Sequence, residues 1–172
     1  LLWDGAGAPP RGMKDLRALA AGERATDPAS TRRVKPADPF CFIFTSGTTG
    51  LPKAAVMTQL RWMRVGYAMG QGAMRLGADD VFYCALPFHH NSALTVCWSA
   101  VLTAGATLVM ARKFSASRFW DDIRASGATA FVYIGEFCRY LLALPPSPDD
   151  RRHAVRVMVG NGLRPEIWDA FA

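Results

Sequence analysis

From residue 40 onward, short apolar runs alternate with longer segments of helical period, and Gly, Pro and Asn punctuate the joins. Residues 41–44, "CFIF", have the aromatic and β-branched character of a buried strand. A stretch of hydroxyls and glycines follows, then a second extended run over 54–57. Thr58 is a residue type that caps helices, and the pattern after it predicts a helix from Gln59 to about Arg75. On that helix Trp62, Val65, Met69 and Leu76 share one face, while Arg61, Arg64, Gln71 and Arg75 point elsewhere. Further strands are predicted over 81–86, 106–111, 129–134 and 155–159, separated by helices over 91–103, 117–126 and 136–144. Pro165 suits the first turn of a last helix. Strand, helix, strand, helix with short Gly turns predicts an α/β fold of alternating strand–helix units on a mostly parallel sheet. Ligands of such sheets gather at the carboxyl ends of the strands. "TSGTTGLPK", "PFHHN", "YIGE" and "GNGL" each follow a predicted strand and are expected to converge on one rim.

The segment before this pattern differs. Residues 4–39 are rich in Gly, Ala, Pro, Arg and Asp, with one short helix predicted over 14–21. Residues 1–39 therefore read as a partly irregular connecting segment ahead of the regular region 40–172. The chain opens on Leu-Leu-Trp-Asp and closes on "IWDAFA" within a helical pattern, so a piece of a longer protein is expected. No internal repeat is visible. Residues 81–111 contain no Asp, Glu, Lys or Arg, which is longer than the roughly 20 residues a membrane span needs. Pro87, His89, His90, Asn91 and Gly105 divide that run, which favours a buried helix between two buried strands; peripheral membrane contact stays open.

Composition narrows the class. The 172 residues are 51% hydrophobic and 20% charged, which is the balance of one globular domain with a real core. A formal net charge of +6 favours anionic ligands. The cations are scattered, without a run of five, and the densest group, Arg151-Arg152-His153, follows the Pro-rich loop "PPSPDD" and reads as solvated; nucleic acid is not an expected partner. Cys41, Cys84, Cys97 and Cys138 form no Cys-x-x-Cys pair and sit among apolar neighbours. Buried free thiols in a reducing cytoplasm are expected, with no disulfide and no metal site.

Candidate chemistry concentrates in Thr45-Ser46-Gly47-Thr48-Thr49-Gly50-Leu51-Pro52-Lys53. The spacing is not that of a Walker A loop, and no Ser or Thr follows the lysine. Related chemistry is available all the same: glycines let backbone N–H groups turn toward a phosphate, four hydroxyls add donors, and Lys53 supplies a mobile positive charge.

This loop resembles the phosphate-binding signature of the adenylate-forming (AMP-binding) enzymes, which include acyl-CoA synthetases, luciferases and the adenylation domains of peptide synthetases. "KFSASRFWDDI" at 113–123, "YIGEFCRYLL" at 133–142 and "VMVGNGLRPEIWDAF" at 157–171 resemble, more narrowly, the fatty acid transport proteins and very-long-chain acyl-CoA synthetases. The similarity covers about residues 40–172. It implies an incomplete AMP-binding domain that uses ATP, Mg2+ and CoA to activate a long- or very-long-chain fatty acid, first to the acyl-adenylate and then to the acyl-CoA.

By this resemblance Thr45, Ser46, Gly47, Thr48, Thr49, Gly50 and Lys53 hold the ATP phosphates. "LPFHHNSA" at 86–93 is similar to the family's Leu-Pro-x-Tyr-His-x-x-Gly segment and puts His90 near the acyl carboxylate. His89 stands where the family has an aromatic residue, and Ala93 where it usually has Gly. Tyr133, Gly135 and Glu136 would border the acyl pocket; read from residues alone, Gly135 equally only ends a strand and Glu136 only opens a helix. Gly160, Asn161, Gly162 and Leu163 resemble the adenine-side loop. Arg112, Lys113 and Arg118 face either an acidic surface or CoA phosphates, or form a solvated cluster. Past Ala172 the family carries a Tyr-Gly-x-Thr-Glu segment whose Glu serves magnesium, a ribose-binding Asp, a hinge, and a C-terminal domain bearing the adenylation lysine. The chain is thus expected to lack that domain, to be inactive alone, and to offer no metal ligands. Two alternatives remain: a ligase for a bile acid, carnitine-like acid or aryl acid, and a lipid-uptake component with the ligase fold. Oligomeric state is not legible.

Overall fold

The structure, a computed structural model, describes residues 2–5, 7–45 and 53–171, with only the backbone of Thr45. Two compact units divide at the Lys35–Pro36 bond. The smaller contains β1 (Leu2–Trp3) and β2 (Lys14–Asp15), paired in parallel, and the short helix α1 (Leu16–Ala21). Asp15 caps α1 by accepting the backbone N–H of Arg17 and Ala18, and Arg17 reaches back to Asp4 at 2.9 Å.

The larger unit begins with an antiparallel hairpin of β3 (Pro39–Thr45) and β4 (Lys53–Thr58). β3 differs from its sequence reading as a buried strand: Phe42 and Phe44 are 57% and 72% exposed. In a two-stranded sheet the alternate side chains turn to opposite faces, and here only the face of Cys41 and Ile43 is half-covered. Thr58 then caps α2 (Gln59–Gly66), accepting from the N–H of Arg61 as the sequence predicts. α2 continues as a π-helical turn over Tyr67–Ala73, so the helix ends two residues before Arg75.

Four parallel strands form the main sheet, in the order β6-β5-β7-β8: β5 (Val81–Cys84), β6 (Thr107–Met110), β7 (Ala130–Ile134) and β8 (Val157–Asn161). The first crossover carries a π-helical stretch, Ser92–Trp98, running into α3 (Ser99–Ala104). The others carry α4 (Ala116–Ser126) and α5 (Gly135–Leu142), and α6 (Pro165–Phe171) follows β8. Because the chain moves from β5 outward to β6 and then back across to β7, right-handed crossovers put α3 on one face and α4 and α5 on the other. Phe82, Val132, Phe131, Phe119, Ile123 and Cys138 fill the core, each at most 2% exposed. The four cysteines are free thiols. Burial raises Cys138 to about 11 and raises Cys97, while a hydrogen bond from Cys97 lowers Cys84.

α2 and α3 touch through glycine. A Cβ on Gly66 would lie 2.7 Å from the Ser99 carbonyl oxygen, and one on Gly70 would lie 2.9 Å from that of Ala100. Beside this contact the rings of Phe40, Trp62, Trp98 and Phe88 form one cluster, with Trp62 and Trp98 centred 5.2 Å apart and inclined by 69°. Trp62 Nε1–H donates to the Leu94 carbonyl at 2.9 Å, fixing the cluster to the π-helical stretch after His90. The uncharged run 81–111 is thus a strand, a helical crossover and a strand. No helix among the described residues is long and apolar enough to cross a membrane.

Candidate functional site

The chain steps from β5 to β6 in one direction and from β7 to β8 in the other, and open α/β sheets take ligands at the carboxyl ends of the strands at such a reversal. Three expected segments issue from strands beside it. "PFHHN" follows β5, "YIGE" joins β7 to α5, and "GNGL" leaves β8.

His90 is half-buried and His89 exposed. A tight turn holds His90: its N–H donates to the Pro87 carbonyl at 2.8 Å, and its own carbonyl accepts from Ala93 and Leu94 at 3.0 Å each. Its ring is fixed as well, because Nδ1 accepts the backbone N–H of Ser92 at 3.2 Å. Neutral His90 therefore carries its proton on Nε2, leaving that nitrogen as the free donor.

"YIGE" and "GNGL" meet directly. In the β7–β8 register Tyr133 stands opposite Gly160, and Ile134 opposite Asn161. A Cβ on Gly135 would overlap the carbonyl of Gly162, and one on Gly160 would overlap the carbonyl and ring of Tyr133. Gly162 has φ +75°, in the left-handed region that favours glycine. Gly135 therefore does more than end a strand: close backbone approach requires it. Tyr133 is 7% exposed, and burial raises its phenol above the ordinary value. Leu163 packs half-buried against the core, whereas Asn161 is exposed. Glu136 turns along its own helix to Arg139, whose Nε donates to it at 3.0 Å.

The hydroxyl loop stands differently. Ser46, Gly47, Thr48, Thr49 and Gly50 lie outside the described residues, as do Leu51 and Pro52. Its two flanks are placed: Thr45 pairs with Lys53 at the end of the β3–β4 hairpin nearest the loop. That hairpin is a sheet of its own; the other three segments follow neighbouring parallel strands of the main sheet, and the loop itself lies outside the described residues. Lys53 is exposed.

Sequence reasoning missed the contacts between distant segments. Arg156 donates to Asp80 from Nε at 3.1 Å and from Nη2 at 2.6 Å, and Thr129 Oγ1 donates to Asp80 at 2.6 Å. Led by the Arg156 hydrogen bond, these lower the Asp80 carboxyl to about 2. Phe114 stacks on Phe137 at 3.8 Å, and Trp120 stacks on His153 at 5.1 Å. The Trp120–His153 pair lines a cavity of about 830 Å3 between α4, the end of α5 and Phe171, away from every expected site residue. Among the described residues no group of three or more His, Cys, Asp or Glu converges to hold a metal ion.

With this geometry in place, the comparisons decide the family. The AMP-binding enzyme model matches residues 5–172. The chain belongs to the AMP-binding enzyme family. A medium/long-chain-fatty-acid–CoA ligase of Mycobacterium tuberculosis is 55% identical over 159 residues, covering 92% of this chain and 27% of the relative. Human long-chain fatty acid transport protein 1 is 49% identical over 134 residues, covering 78% and 21% respectively. The chain thus spans about a quarter of the length of these relatives. The AMP complex of the Bacillus subtilis O-succinylbenzoate coenzyme A synthetase aligns with a TM-score of 0.62 and 23% identity over 75% of this chain and 26% of its own. A malonyl-CoA ligase holding methylmalonyl-CoA and AMP aligns with a TM-score of 0.70 and 24% identity over 80% and 31%. Both establish the fold: the strand–helix alternation and mostly parallel sheet are those of the N-terminal domains of adenylate-forming enzymes.

Proposed function

We propose that this chain supplies the phosphate loop and part of the acyl and nucleotide pocket of an ATP-dependent fatty-acyl-CoA ligase working in a reducing cytoplasm. What supports the reading is that "PFHHN", "YIGE" and "GNGL" all leave the carboxyl ends of the neighbouring parallel strands β5, β7 and β8, in a member of the AMP-binding family. The first step is attack of a fatty-acid carboxylate oxygen on the α-phosphorus of Mg-ATP, with pyrophosphate leaving. In the second, the CoA thiol gives up its proton, its sulfur forms the thioester bond, and AMP departs.

Thr45 to Lys53 is assigned to the β- and γ-phosphates, where in-line attack needs the leaving group fixed and its charge spread over donors. His90, with Nε2–H free, is assigned to the carboxylate and then to the acyl-adenylate, as a hydrogen-bond donor. Gly160, Asn161, Gly162 and Leu163 offer backbone groups and a flat approach to the adenine. Tyr133 and Gly135 form the wall between nucleotide and acyl chain, with Glu136 at its edge. Magnesium enters as part of the ATP substrate; the described residues supply no ligand set for it, and no step is derived through the metal.

Pyrophosphate exchange into ATP, measured on the protein across short, long, very long and aryl acids, tests this. Exchange dependent on long acyl chains supports the assignment. Exchange only with an aryl or other acid keeps the chemistry and discards the fatty substrate. Absence of exchange with every acid, from folded protein, sinks the ligase reading. Lys53→Ala should abolish exchange and, with it, fatty-acid uptake by cells expressing the protein. Uptake that survives this substitution would favour the lipid-uptake component instead.

A further inference from the structure

Two parts of the candidate site stand on different sheets. The hydroxyl loop joins β3 to β4 in the hairpin, the His90 turn follows β5 of the main sheet, and among the described residues no strand pairing links the two sheets. Attack of a carboxylate on phosphorus needs both parts in register, because a misplacement of about 1 Å can cost about 100-fold in rate. The element that lies between them is α2.

At its start α2 is bonded to the hairpin side. The Gln59 N–H donates to the Asp38 carbonyl at 3.0 Å, the Leu60 N–H to that of Pro36 at 2.9 Å, and Arg61 Nη1 to that of Val56, in β4, at 2.9 Å. The next residue, Trp62, turns the other way. Its Nε1–H donates to the Leu94 carbonyl at 2.9 Å, and the Leu94 N–H donates to the His90 carbonyl at 3.0 Å. Leu94 thus links the indole to the His90 turn through its two backbone groups. The indole is 7% exposed and is held by rings from both sides. Phe40, on β3, lies 5.0 Å from it, and Trp98, at the end of the π-helical stretch, lies 5.2 Å away. Phe88, two residues before His90, packs on Trp98 at 5.6 Å. A large flat side chain with one donor fixes a distance and an angle together.

We propose that Trp62 is a positioning residue for acyl-adenylate formation: through Phe40 and Leu94 it holds the phosphate-loop hairpin in register with the His90 turn. The residue touches no substrate, and the proposal rests on the ligase reading. Its effect belongs to the first step. Once pyrophosphate has left, the β- and γ-phosphates are gone and the thiol attack no longer needs the hairpin in register.

Trp62→Phe keeps an aromatic ring in the cluster and removes the donor to Leu94. Two half-reactions of the full-length protein are compared: pyrophosphate exchange into ATP with palmitate, and thioester formation from CoA and synthetic palmitoyl-adenylate. In Trp62→Phe, kcat for exchange should fall on the order of 10- to 100-fold with KM for ATP within about twofold, while thioester formation changes by less than about threefold. Arg156→Ala, which loosens the far end of the sheet, should leave the ratio of the two half-reactions at the parent value. Phe40→Leu loosens the same link from the hairpin side and should shift the ratio in the same direction, and this variant decides the matter if Trp62→Phe does not fold. Equal losses in both half-reactions, a loss carried by KM for ATP alone, or the same shift in Arg156→Ala would make Trp62 a packing residue and overturn the proposal. A parent that exchanges, with both cluster variants at its rate, sinks the proposal alone. A parent that exchanges with no acid sinks the ligase reading and the proposal with it.

Discussion

At the amino ends of the main sheet, the residues just ahead of β5, β7 and β8 hold one another by side chains: Asp80, Thr129 and Arg156 form one hydrogen-bonded knot, and Arg156 also reaches the Met74 and Arg75 carbonyls at 2.9 and 3.0 Å. At the carboxyl ends of β7 and β8 the same strands are joined by the absence of side chains, with Gly135 against Gly162 and Gly160 against Tyr133. One end is tied by polar bonds that use up their donors. The other is closed by backbone contact, which leaves carbonyls, N–H groups and His90 Nε2 available. An α/β sheet can keep its ligand rim chemically open when another rim supplies the polar fastening.

The strongest test of this contrast is steric. Gly135→Ala should cost about 3 kcal/mol or more, because Cβ would displace backbone rather than a flexible side chain. Gly72→Ala, whose Cβ would sit 3.7 Å from its nearest neighbour, should be neutral or slightly stabilising. Urea denaturation compares them, and a cost below about 1 kcal/mol for Gly135→Ala would break the claim that the rim is closed by glycine.

A smaller loss is expected at the opposite end. Arg156→Ala should cost on the order of 1–2 kcal/mol, after discounting for a side chain that is 42% exposed. A double-mutant cycle with Asp80→Asn should show coupling; additive effects would mean that the knot is only a crystal of local geometry. Acid sharpens the point. Asp80 titrates near 2 in the folded state against 3.8 unfolded, so its stabilisation is complete above about pH 4 and is lost as pH falls toward 2. Urea midpoints measured from pH 5 to pH 2 should fall less steeply in Arg156→Ala than in the parent. Identical slopes would remove Arg156 as the cause of the low Asp80 value.

The smallest effect belongs to the middle of the sheet. Tyr83→Phe removes one hydroxyl from Asp122, which keeps Arg118, and should cost about 0.5–1.5 kcal/mol by the same denaturation assay. A loss equal to that of Gly135→Ala would erase the ranking.

Periodicity made the strand–helix alternation readable, and it placed Thr58 as a cap and Pro165 at a helix start because those are local rules. It could not tell π from α over Ser92–Trp98, since both bury the same apolar residues. Nor could it see that Phe42 and Phe44 face outward: an apolar strand looks the same whichever neighbours cover it. The "YIGE" and "GNGL" motifs were visible, yet the reason for their glycines lay in each other, 27 residues apart in the Gly135–Gly162 contact. Asp80 and Arg156 are separated by 76 residues, and no short-range signal links them.

The aromatic cluster behind His90 also makes the protein its own optical instrument. Two indoles 5.2 Å apart and steeply inclined are close enough for their ultraviolet transitions to mix, with Phe40 and Phe88 against them. The near-ultraviolet circular dichroism of this pair depends on mutual angle. Because Trp62 is hydrogen-bonded to Leu94, four residues past His90, any ligand that tilts the His90 turn should change that signal without a label.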